Sequence, residues 1–124
     1  MAEAWEQYKN APPRGTRIIQ DADVLAESVA SVSIESVHGS FPVLLVNSNG
    51  TIRAFVNACP HQYLPLDQRS ANILSSDGTQ VRCSNHDAAF RISDGQGVEG
   101  LGQGECLDVI PVHTDDEGWV VIDR

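Results

Sequence analysis

The chain has 124 residues, 41% of them apolar and 20% charged, with a formal net charge of −9 at pH 7. That length suits one domain around one modest core, and the composition is ordinary for a folded globular protein. The acid excess argues against a phosphate-backbone partner, because nucleic-acid binders need clustered Lys and Arg; it favours steering toward a basic protein surface instead.

No stretch approaches the 18 or so apolar residues that a membrane span needs. The N-terminus, from Met1 to Glu6, has no basic region, no apolar region and no twin-arginine pair, so the expected compartment is the cytoplasm. Residues 1–15 read as an N-terminal arm and 16–124 as a single domain.

From residue 16 the pattern is that of an all-β protein. Thr16 to Gln20 can start a strand. Asp21 to Glu27 suits one short helical turn with an Asp cap. Ser28 to Ser36 alternates with period two and predicts a half-buried strand. Phe41 to Val46 is an apolar run and Thr51 to Val56 another. Asn49-Gly50 between them is the strongest short hairpin signal. Val81 to Cys83 predicts a strand after the Ser76-Asp77-Gly78 turn, and Phe90 to Ile92 a strand before Ser93-Asp94-Gly95. Leu107 to Val112 and Trp119 to Ile122 flank the solvated turn Asp115 to Gly118 and suggest a last hairpin. Many short strands with close turns make a small sandwich or barrel-like domain with little helix.

The chemistry sits in the cysteines and histidines. There are three Cys and four His. An odd Cys count in a chain of this kind is a poor disulfide framework and points to metal chemistry or free thiols. Cys59-Pro60-His61 is followed, after a gap, by Cys83-Ser84-Asn85-His86. Thiolate and imidazole suit iron–sulfur, zinc or copper. In a Cys2His2 zinc site like residues usually pair locally, whereas here each local pair is one Cys with one His. Mixed pairs suit a two-iron cluster in which one iron takes both Cys and the other both His. The alternative is a structural zinc site that merely pins two loops.

This C-x-H…C-x-x-H pattern resembles the Rieske family, most firmly over residues 57–100. The resemblance implies two ligand loops, about 57–66 and 83–92, on a small cluster-binding β subdomain above a β-sandwich base. It implies that Cys59 and Cys83 hold the buried iron of a [2Fe–2S] cluster, one cluster per chain, and that His61 and His86 hold the outer iron near solvent. With two ferric ions, two sulfides and two thiolates the cluster is neutral, so it accepts an electron more readily than an all-Cys cluster does: about −150 to +300 mV against about −400 mV. High-potential members add a disulfide between the loops and a Ser and a Tyr that donate to the cluster sulfurs. The matching positions here are Leu64 and Asn85, and Ala88 and Phe90. None is suited, and Asp87 follows a ligand, so the potential is expected to be low for the class.

In these respects the chain is similar to the Rieske-type ferredoxins of ring-hydroxylating dioxygenase systems. The resemblance implies an electron carrier rather than an enzyme. It would work between a flavin-dependent NAD(P)H reductase and a terminal oxygenase, as a monomer, with transient docking near His61 and His86. A tightly bound small subunit, as in an assimilatory nitrite reductase, is the alternative role for the same cluster. Asp87 and Gln62-Tyr63-Leu64 stand where many relatives have Gly.

The remaining candidates have plainer readings. Cys106 is expected to be a buried free thiol, His38 a loop residue and His113 a surface residue after a strand. Trp5 and Trp119 are expected to anchor packing, with docking as the alternative for an exposed Trp5. Tyr63 and Leu64 would form either an apolar rim for docking or packing beneath the loop.

Overall fold

The turn at Asn49-Gly50 shows how local sequence sets the architecture. Asn49 (φ 54°) and Gly50 (φ 78°) both take positive φ, as a two-residue hairpin turn of the primed type requires. They join β3 (Gly39–Ser48) to β4 (Thr51–Val56), in register from Ser48 opposite Thr51 to Val43 opposite Val56. In the computed structural model the described residues are 4–8, 10–36, 39–58, 66–67, 73–83, 88–100 and 106–123.

Among these residues three antiparallel sheets form. The middle sheet has the order β2 (Ser28–Ser36), β3, β4, β8 (Val109–Ile110). On one side lies a sheet of β1 (Arg17–Gln20), β10 (Trp119–Ile122) and β9 (Val112–Thr114); on the other lies a sheet of β5 (Gln80–Arg82), β6 (Ala88–Arg91) and β7 (Gly97–Gly100). The expected base and smaller β subdomain are both present.

Burial explains why β3 reads as a continuous apolar run rather than an alternating one. Val43, Leu44, Leu45 and Val46 are all fully buried. Successive side chains point to opposite faces, and both faces of the middle sheet are covered. Val43 and Leu45 join Trp5, Phe41, Val56, Ile110, Val120 and Ile122 in one core cluster. Leu44 and Val46 join Phe55, Leu66, Val81, Cys83, Phe90 and Leu107 in the other.

The ends of the elements depart from expectation in ways that chain chemistry accounts for. β2, β4 and β10 run over the residues expected of them. The Leu107 to Val112 strand is divided at Pro111: β8 pairs with β4, and β9 pairs with β10. Proline has no N–H to give a ladder, and the chain changes sheets there. The turn after β1 is a 3-10 turn over Asp21–Asp23 whose N-cap is Gln20, with no side-chain cap bond. The expected Asp cap is therefore absent: Asp21 lies inside the turn and its N–H donates to Gly118 O at 2.7 Å. β7 forms where no strand is expected, since Gly97 and Gly100 have little strand propensity.

The N-terminal segment also belongs to the core. A 3-10 turn at Ala4–Gln7 places Trp5 at 0% exposure, so it is a packing anchor rather than an exposed docking residue. Arg14 lies 5.4 Å above its ring and pairs with Glu6 at 2.6 Å. Tyr8 meets Phe41 edge-on at 5.8 Å and donates to Asp108 at 2.7 Å. Trp119 is half-buried beneath Arg17.

Candidate metal centre

Of the four proposed ligands, Cys83 is described; Cys59, His61 and His86 lie outside the described residues, as do His38, Tyr63, Leu64, Asn85 and Asp87. Cys83 follows β5 directly. Its N–H donates to Ala88 O at 2.9 Å, which continues the β5–β6 ladder of Val81 with Phe90 and Arg82 with Ala89. The segment 84–87, with its His, is thus closed at its base by a hairpin bond. The Cys83 thiol is free and 2% exposed.

The other segment leaves from the end of β4. Asn57 N–H donates to Pro42 O at 3.0 Å and Ala58 N–H to Val56 O at 2.8 Å. Asn57 is 2% exposed. Its side-chain oxygen accepts from Leu66 N–H at 2.9 Å, and its amide donates to Asp67 Oδ1 and Ser31 Oγ, each at 3.0 Å. Leu66, Cys83 and Ala88 belong to one buried cluster. The described residues that flank the two segments, Leu66 for one and Cys83 and Ala88 for the other, therefore lie in one apolar layer with Leu44, Phe55 and Phe90.

That layer bears on the sulfur environment. Ala88 and Phe90, the two positions where the resemblance would place hydroxyl donors, are both fully buried in β6 and have no hydroxyl to offer. The next turn is fixed from outside: Asp94 accepts from Arg91 at 2.6 Å and from Gln96 N–H at 3.0 Å. Gly95 N–H donates to Arg91 O, and a Cβ on Gly95 would lie 2.6 Å from Leu107 O. The hydrogen bond from Arg91, then that from Gln96, holds the Asp94 carboxyl below the usual range.

Two other candidates are now placed. Cys106 is exposed, which corrects the expectation of a buried thiol: it pairs with Gln96 as an isolated bridge at the surface, and its Sγ lies 3.3 Å from Leu107 O. Partial desolvation, then the charges of Asp108 and Asp94, push its pKa up. His113 lies within β9 rather than after a strand; it is exposed, with Nδ1 2.5 Å from Asp123 Oδ1.

Sequence reading proposes Cys83 as a ligand and passes over the contacts of Asn57 with Ser31, Leu66 and Asp67. The only local signal is a polar residue next to the end of an apolar strand. Its partners lie 9, 10 and 26 residues away.

A small all-β protein in which the described flanks of two Cys/His sequence motifs, Leu66, Cys83 and Ala88, share one buried layer defines a class, that of metal-cluster domains on a β base. The family model described as Rieske [2Fe–2S] domain matches residues 15–111, and the chain belongs to this family. The ferredoxin component of the alkene monooxygenase system of Xanthobacter autotrophicus (strain ATCC BAA-1158 / Py2) is 31% identical over 77 residues, 62% of this chain and 58% of that relative. The chain thus spans less than two thirds of that protein's length. Sphingomonas yanoikuyae B1 ferredoxin superposes with a TM-score of 0.71 at 26% identity, covering 89% of this chain and 98% of that one. The ferredoxin of carbazole 1,9a-dioxygenase from Nocardioides aromaticivorans IC177 shares the fold, with a TM-score of 0.70 at 14% identity over 90% of this chain and 100% of that one.

The cofactor that goes with this domain is a Rieske-type [2Fe–2S] cluster. The described residues fit it. A free, buried thiol at a strand end suits a thiolate ligand shielded from water, and the surrounding layer is apolar. No helix among the described residues is long and apolar enough to cross a membrane.

Proposed function

We propose that the chain is a one-electron carrier whose cluster is held by Cys59 and Cys83 on one iron and by His61 and His86 on the other. The observation that carries this reading is the shared floor: Leu66, Cys83 and Ala88 bring the ends of both Cys/His segments into one buried cluster. When bound, the cluster supplies reversible one-electron chemistry, at a potential set by its histidine ligation and by hydrogen bonds to its sulfurs. The protein's part is to seat the thiolate in an apolar layer, hold both segments in place and withhold hydroxyl donors at Ala88 and Phe90. Absent donors disfavour the more negative, reduced state, so the potential lies low for a Rieske centre.

The domain is taken as residues 16–124, with Trp5 of the arm packed into its core. The relative from X. autotrophicus is by name a component of an alkene monooxygenase system, and this supports a carrier between a flavin-dependent NAD(P)H reductase and a terminal oxygenase in the cytoplasm. Electron-transfer contacts are small and weak as a class, and an acidic carrier is steered by charge toward basic partner surfaces. No observation favours the fixed-subunit or structural-zinc alternative.

Protein-film voltammetry against pH tests the reading. The expected result is a reversible one-electron wave at the low end of the Rieske range that becomes pH-dependent only in alkali, where the ligand histidines couple to proton uptake. A wave well above zero would contradict the inferred sulfur environment. Iron-replete protein with no wave would remove the carrier role.

A further inference from the structure

Asn57 stands at the neck of the first ligand segment, and its contacts are unusual for a residue there. It is buried, yet three of the four hydrogen bonds that an amide can make are filled by described partners. Those partners come from both sides of the segment. Leu66 N–H, at the far end, donates to its oxygen; Asp67, also at the far end, accepts from its nitrogen; Ser31 on β2 accepts from the same nitrogen. The backbone of Asn57 is itself tied to Pro42 of β3. One side chain thus joins residue 57 to residues 66 and 67 and fixes the junction to the middle sheet.

The cysteine count makes such a clasp matter. The chain has three cysteines, and Cys83 and Cys106 are free. Cys59 then has no partner cysteine within the chain, so no intrachain disulfide closes the segment. Apart from the proposed bonds to iron, closure must come from non-covalent contacts. An apolar floor alone is non-directional and does not fix the register of a polar backbone. The buried amide supplies direction, because its loss would strand the Leu66 N–H and the Asp67 carboxylate.

We infer that Asn57 is a positioning residue for the proposed iron ligands: its side chain clasps the neck of the 58–65 segment and holds Cys59 and His61 in the arrangement that retains the cluster. This rests on the reading that those two residues are ligands. Asn57 itself does not touch the iron. Its role is to hold residue 57 to residues 66 and 67 and to anchor that junction on β2.

The test exploits the polarity of the Asn57–Asp67 bond. Asn57→Asp sets two carboxylates against each other. Asp67→Asn alone keeps a usable acceptor. The double variant Asn57→Asp/Asp67→Asn reverses donor and acceptor and restores the bond, while the carboxylate introduced at position 57 still accepts from Leu66 N–H and accepts a further bond from the Ser31 hydroxyl. Iron release from loaded protein to an excess of chelator is followed together with the electron paramagnetic resonance of the reduced protein. Asn57→Asp is expected to lose iron roughly tenfold faster than the parent, in line with a buried hydrogen bond to a charged group. Asp67→Ala should lose it severalfold faster. The double variant should return to within about twofold of the parent and recover its line shape, whereas a loss of overall stability alone would lower the unfolding midpoint of Asn57→Asp and leave its line shape parental.

Loaded Asn57→Asp that releases iron at the parental rate overturns the inference, as does a double variant that fails to recover. If Asn57→Asp does not accumulate folded, Asp67→Ala decides: release at the parental rate overturns the clasp. Parent protein without iron and sulfide would instead overturn the ligand assignment, and with it this inference.

Discussion

Replacing Trp5 by Ala tests whether the segment before β1 belongs to the same cooperative unit as the sheets. Trp5 is fully buried among Phe41, Val43, Leu45, Val120 and Ile122. A tryptophan side chain buries on the order of 200 Å². At about 25 cal/mol per Å² that is an upper figure of about 5 kcal/mol, lowered because a real unfolded chain already hides some of that surface. Large-to-small changes of this kind typically cost about 3–5 kcal/mol, so a loss of about 3–4 kcal/mol is expected. Against a total stability of about 5–15 kcal/mol this is a large share. In urea unfolding of the loaded protein, with a slope of about 2 kcal/mol/M, the midpoint should fall by about 1.5–2 M at unchanged slope. Iron release under native conditions should change little, because Trp5 packs on the face of the middle sheet opposite Cys83. A midpoint shift under about 0.5 M would refute the reasoning. It would mean that the arm is loosely attached and that its burial contributes little.

Two further outcomes follow from the site and from the surface. Cys83→Ser should abolish iron and sulfide incorporation, whereas Cys106→Ser should leave both at parental levels; metal analysis of the purified proteins separates the two, and iron loss in Cys106→Ser would contradict its surface placement. Asp77, Asp94 and Asp115 have depressed carboxyl pKa values, held respectively by the Ser75 hydroxyl, by Arg91 and by Trp119 N–H. A folded pKa below the unfolded one contributes stability that is present above the ordinary carboxylate range of about 4 and is lost as pH falls through the folded values. The melting temperature should therefore drop as pH falls below about 4, less so in Asp115→Asn, and a profile identical in parent and variant would refute the Asp115 contribution.

How much of this is legible in the sequence depends on the range of the forces involved. β2 and β4 are readable because alternation and the Asn49-Gly50 turn are local, and β10 because it sits beside the Asp115 to Gly118 turn. Phe41 to Val46 marks β3, but its true extent, Gly39–Ser48, is set by pairing with β2 on one side and β4 on the other. β7 is invisible because its glycines carry no strand signal, and its existence depends on β6 beside it. Pro111 could have announced the division between β8 and β9. Cys106 is misjudged because thiols are usually buried, while this one forms an isolated bridge with Gln96 at the surface. Cys59, His61, Cys83 and His86 stand out as proposed ligands by type and spacing, and of these Cys83 alone is among the described residues. Asn57 does not stand out, because an amide's role is defined by what it meets, and Ser31 and Leu66 reach it only through tertiary structure.

The middle sheet limits how such a domain can vary. Leu44 and Leu45 are neighbours in sequence yet belong to different packing environments, one beneath the metal-binding layer and one against Trp5. A change that shifts the β3 backbone by a fraction of an ångström moves both at once. Drift in the base is therefore transmitted to the floor under Cys83, and the potential of the centre becomes a property of the whole three-layered body. β3 is held from both faces, so the layer that contains Cys83 inherits the rigidity of the layer that contains Trp5.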